Sequence, residues 1–156
     1  MNSTINDTIK TLNDLTEILK DGEYGYKTAA EDAKAPELAE AFTRYSRQRQ
    51  EFASELQARV IALGAKAEKH GSVSASLHRG WINIKAAVSH NEPHAVLEEA
   101  ERGEDAAVKA YREALDHADL DEPTHTLISR QYTQVKAAHD HIKQLRDGGN
   151  YRKAAK

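Results

Sequence analysis

The sequence predicts an all-α domain: a four-helix bundle joined through a long crossover that carries a short fifth helix. Three observations lead there. Apolar residues recur at three- and four-residue steps through four long segments, with no alternating strand pattern. Three prolines, 30% charged and 39% apolar residues suit amphipathic helices with solvated outer faces. The 156 residues suffice for one well-filled core, too few for two comfortable ones, so residues 1–147 read as a single domain with a frayed tail over 148–156.

The first helix is expected over about 4–33. Asn2, Ser3 and Asn6 offer N-caps, and Leu12, Leu15, Leu19, Tyr26 and Ala29 form its stripe. Ala35-Pro36 ends it, because a residue before proline is pushed out of the helical region, and Pro36 then suits the first turn of the second helix. Leu38, Phe42, Tyr45, Phe52, Leu56, Val60 and Leu63 make that helix's stripe, with a stop expected at His70-Gly71. A short helix over about 74–89 carries Leu77, Trp81, Ile84 and Val88, with Trp81 packing the crossover onto the bundle. Asn91-Glu92-Pro93 and Asp121-Glu122-Pro123 each pair a capping side chain with an early proline and open the last two long helices. Their stripes are Leu97, Ala100, Val108, Tyr111 and Leu115, then Leu127, Ile128, Val135, Ile142 and Leu145, ending at Gly148-Gly149.

Connection lengths set the topology. The first two helices are joined by a few residues, as are the last two, so each pair is an antiparallel hairpin. The longer stretch between the pairs carries the chain back along the bundle, so the second hairpin enters where the first one turns.

Depth can then be counted from that shared end. Glu23 and Glu104 each lie about twelve residues from it at ~1.5 Å per residue, and Glu51 and His139 fall within about one turn of the same level. Glu23 shares the face of Leu19 and Tyr26, Glu104 that of Ala100 and Tyr111, and His139 that of Val135 and Ile142. Glu51 flanks Phe52 rather than sitting on the stripe, so Glu55 or Gln48 are alternatives. Such groups are costly in a core unless they pair or bind a cation. Gly22, Gly25 and Gly103 stand beside two of the acids, each costing a helix up to ~1 kcal/mol. Close helix approach or room for a bound species would offset that cost.

Net charge is −3 with both signs interspersed, and Lys66, Lys69 and His70 form too small a basic patch for nucleic acid. Zero cysteines excludes disulfides, thiolate zinc sites and cysteine nucleophiles. No apolar run reaches a membrane span and the N-terminus lacks a signal peptide's apolar core, so a soluble cytoplasmic protein without a membrane partner is expected.

Glu101-Arg102-Gly103-Glu104-Asp105, Leu77-His78-Arg79-Gly80-Trp81 and Lys136-Ala137-Ala138-His139-Asp140, before Leu145-Arg146-Asp147, resemble a bacterial family of ferritin-like four-helix domains of unknown function. Ferritin-like di-iron proteins use single glutamates on two helices and Glu-x-x-His pairs on the other two. Glu23 and Glu104 match the single glutamates. Glu51-Phe52-Ala53-Ser54 has serine for histidine, and Lys136-Ala137-Ala138-His139 has lysine for glutamate. The resemblance therefore implies a degraded site that keeps a metal ion, iron or manganese, at Glu23, Glu51, Glu104 and His139, with a role in stress or metal homeostasis and no established catalysis.

Lys136 offers a different outcome, replacing the metal's charge by pairing with Glu104 or Glu51. Tyr26 and Tyr111 are candidate hydrogen-bond donors to the polar site, and Glu101 reads as a surface acid, with substitution for Glu104 as the alternative. The competing reading is a metal-free helical interaction or scaffold protein, a homodimer by default, whose buried acids pair internally.

Overall fold

A computed structural model describes residues 3–66, 80–90, 92–117, 119–148 and 150–151. Among them are five helices and no strand: α1 (Ser3–Asp32), α2 (Pro36–Ala62), α3 (Ile84–Ser89), α4 (Pro93–His117) and α5 (Glu122–Asp147). None is long and apolar enough to cross a membrane.

The apolar stripes bury as their spacing requires, and they do so in two successive clusters. One gathers Tyr26 and Ala29 of α1, Leu38, Phe42 and Tyr45 of α2, Val96, Leu97 and Ala100 of α4, and Ala138 and Ile142 of α5. The other gathers Leu12, Leu15 and Leu19, Phe52, Leu56 and Val60, Ala107 and Tyr111, then Ile128 and Val135. The order in which each helix meets the clusters fixes its direction. α1 and α5 run from the second cluster to the first, whereas α2 and α4 run from the first to the second. Both hairpins are thus antiparallel, and α2 ends at the second cluster whereas α4 begins at the first.

Where the helices end follows local chemistry. Ala35 is extended (φ −77°, ψ 119°) before Pro36. α2 stops earlier than the His70-Gly71 signal suggests. Gly64 takes φ +95°, its N–H bonds Ile61 O at 2.9 Å, and Ala65 N–H reaches back to Val60 O at 3.2 Å. That is a glycine-terminated helix end with the outermost carbonyls satisfied. His70-Gly71, Lys69, the Leu77-His78-Arg79 segment, the Asn2 and Asn91 cap signals and residues 152–156 lie outside the described residues.

The short crossover helix is described only over Ile84–Ser89, and Trp81 precedes it. The indole is 2% exposed and lies edge-on to Tyr26, with ring centroids 4.9 Å apart. Glu99, buried on α4, accepts from the Asn83 N–H at 2.9 Å and pairs with Arg102, tying α3's start to α4. At the far end, Tyr151 is held by its hydroxyl on Glu37 at 3.1 Å and its carbonyl on His94 Nδ1 at 3.0 Å, so the tail is anchored at least that far.

Candidate functional site

Between the two apolar clusters each long helix has a short stretch belonging to neither: Lys20–Glu23, Ser46–Glu51, Glu101–Ala106 and Lys136–Ala137. The polar side chains meet at this level, as depth counting expects. Their partners differ from the expected ones.

Glu104 is 0% exposed and faces Arg49, itself 1% exposed. The guanidinium donates twice, Nη1 to Oε1 at 2.7 Å and Nη2 to Oε2 at 2.8 Å. Tyr26 adds a third donor, its hydroxyl to Oε2 at 2.5 Å, while its ring lies 5.6 Å from the Arg49 Cζ. Gln48 Oε1 accepts from Arg49 Nε at 3.1 Å. Burial disfavours the charged guanidinium, but the Glu104 carboxylate outweighs it and holds Arg49's pKa above its usual value. Burial first, and then the Glu104 charge, push the Tyr26 phenol well above its usual range, so it remains a donor.

A second polar group lies toward the other cluster. Tyr111 donates to Gln131 Oε1 at 2.7 Å, and Gln131 Nε2 donates to Phe52 O at 3.2 Å and Glu55 Oε1 at 2.9 Å. Arg130 neutralises Glu55 at 2.8 Å. Burial raises the Tyr111 phenol as well.

The four expected ligands are placed separately. Glu23 is half-buried beside Lys20 (3.8 Å), and Ser46 donates to its backbone carbonyl at 2.9 Å. Glu51 is exposed. Glu104 has both oxygens engaged by Arg49 and Tyr26. His139 turns to the α4–α5 groove, with Nε2 2.7 Å from Asp105 Oδ1 and Nδ1 3.0 Å from Asp140 Oδ1. Burial lowers its pKa, yet the two carboxylates prevail and the imidazole is held above its ordinary value. Lys136 is exposed and bonds Asp140 at 3.1 Å, so the internal cation opposite Glu104 is Arg49 and not Lys136.

His139 and His141 point to different sides, as two residues on one helix must. His141 faces α2, with Nδ1 2.6 Å from the Tyr45 hydroxyl, and burial and Arg44 lower its pKa. The sequence reading assigns no partner to His141 and so misses this contact.

Arg49 was also missed, and the signal was available. Phe42, Tyr45, Arg49, Phe52 and Leu56 follow one another at three- and four-residue steps, so the arginine sits on the buried stripe that Glu51 only flanks. The glycines have an explanation too. A Cβ on Gly25 or on Gly103 would lie 2.1 Å from a ring atom of Trp81. Both residues leave room for the indole between α1 and α4, and not for a bound species.

One group of carboxylates and imidazole among the described residues is close enough to share an ion: Glu101, Asp105 and His139, with one ligand atom from each lying within 4.8 Å of the others. Glu101 and Asp105 are one turn apart on α4, and His139 reaches across from α5. Arg146 pairs with Glu101, whose buried Oε2 receives no well-directed hydrogen bond.

No curated protein matches the chain. A family model described as "Domain of unknown function (DUF2383)" matches residues 7–117, which include Arg49, Glu104 and both glycines beside Trp81 and stop short of α5. That match covers most of the sequence, and the chain belongs to this family.

Proposed function

We propose that this protein is a ferritin-like four-helix bundle that handles metal without redox catalysis, its central metal position having been replaced by an internal arginine. The observation that carries this reading is the buried, doubly bonded Arg49–Glu104 pair with Tyr26 as third donor. The resemblance supplies the bundle architecture and the link to stress or metal homeostasis. The order in which the helices meet the two clusters supports a single crossover between hairpins.

The charge argument is simple. A buried glutamate needs a cation, and a metal centre or a guanidinium can provide it. Arg49 and Tyr26 direct three donors at the two Glu104 oxygens, and the guanidinium stands where an ion bound to that carboxylate would sit. Iron or manganese at Glu23, Glu51, Glu104 and His139 would have to displace Arg49, recruit an exposed Glu51 and draw His139 from Asp105. An oxidase mechanism through that quartet is disfavoured on the same grounds.

The test compares the protein with its Arg49→Gln variant in ferrous oxidation. The reading predicts oxidation at the buffer rate for the parent. Rapid oxygen-dependent ferrous oxidation by the parent would overturn it.

A further inference from the structure

We infer that the α4–α5 groove binds a single divalent transition-metal ion through Glu101, Asp105 and His139. The inference deepens the proposed role in metal handling and depends on it for biological purpose. The site itself stands on different residues from the closed core.

The ligand set comes first. Two carboxylates and one imidazole suit borderline divalent ions such as zinc, manganese or ferrous iron, in contrast to soft cuprous ions, which prefer sulfur, or calcium, which prefers oxygen alone. The three ligand atoms converge within 4.8 Å from two rigid helices, and small rotamer changes bring them to the ~2.0–2.2 Å of such bonds. His139 is one-fifth exposed and Asp105 more than half, so water can enter and fill the remaining positions.

Two further contacts bear on the site. Asp140 lies 3.0 Å from His139 Nδ1, on the ring edge away from Asp105. Metal-bound histidines are commonly oriented by a carboxylate on their second nitrogen, which fixes the tautomer that offers Nε2 to the ion. Glu101 Oε2 is already held by the Arg146 guanidinium as an ion pair. A divalent ion would take Arg146's place at that oxygen, and Arg146 keeps Asp147 as a partner at 2.9 Å. On binding, the ion replaces the proton shared between Nε2 and Asp105.

Tag-free full-length protein is titrated with zinc by calorimetry, with histidine ring resonances followed by NMR. Saturable 1:1 binding is expected, with His139 among the perturbed rings. His139→Ala and Asp105→Asn should each weaken binding at least about tenfold, the loss typical of disturbing a metal site. His125→Ala and Glu23→Gln should leave it unchanged. Asp105 is exposed, so its variant keeps the inference testable if His139→Ala fails to fold. No saturable zinc binding, or binding that survives both groove variants, overturns the site. The core reading has its own readout, ferrous oxidation, so the two can fail separately.

Discussion

Glu104 and Asp105 are neighbours in the chain with the same charge and different fates. Glu104 is 0% exposed and locked on Arg49, whereas Asp105 is 59% exposed and reaches His139 across a groove. One step along α4 turns a side chain by about 100° and moves it from the sealed layer to the wet one. Inside, low polarity makes an unpaired charge intolerable, so the sequence supplies a permanent cation. Outside, water screens the acid, and its ionic partner is exchangeable. The buried pair is accordingly structural, whereas the contact in the groove is open to exchange.

Breaking the sealed layer should have the largest effect. Arg49→Met leaves the Glu104 carboxylate buried without its cation and should cost about 3–5 kcal/mol in chemical denaturation. The double variant Arg49→Met with Glu104→Met should recover much of that loss, because no orphan charge remains. Gly25→Ala comes next. Its Cβ would collide with Trp81, so about 1–3 kcal/mol should be lost along with a shift in tryptophan fluorescence. Tyr26→Phe removes one of three donors to Glu104 and should cost about 1–2 kcal/mol in the same assay.

The groove side should respond to pH instead. His139's folded pKa is raised, so its stabilisation is fully present below its unfolded value and is lost as pH climbs through the folded one. His141 has the opposite sign. Its folded pKa is depressed, so its neutral form is favoured above the unfolded value and stability falls as pH drops through that range. Denaturation midpoints of His139→Gln and His141→Gln from pH 5 to 9, a span bracketing the usual histidine value of about 6.5, should therefore diverge from the parent in opposite directions. Parallel profiles would erase the proposed contrast between the two faces of α5.

Much of this layout was legible in the sequence. Periodic stripes, the Ala35-Pro36 turn and the two proline-led starts place the long helices to within a few residues, the end of α2 excepted. Counting depth from the shared end locates the polar level at Glu104 without any coordinates. The identity of the partners was harder to read. Arginine is normally a surface residue, so a stripe that runs Tyr45, Arg49, Phe52 looks interrupted there rather than charged inside. Gly25 and Gly103 reveal their role only when Trp81 is placed, because the contact joins three segments distant in sequence. The end of α2 was set by Gly64 in a left-handed conformation, a signal weaker on the page than the later His70-Gly71 pair. His139 was recognised as important from its phase, but its acidic neighbours depend on helix rotation that periodicity alone does not fix.

The central claim is that Arg49 supplies the cation that Glu104 requires. A double-mutant cycle on Arg49→Met and Glu104→Gln, measured by urea denaturation, tests it directly. Strong coupling, at the upper end of the ~0.5–3 kcal/mol seen for residues sharing one network, is the predicted result. Additive losses within about 0.5 kcal/mol would contradict it, showing that the two side chains do not depend on each other.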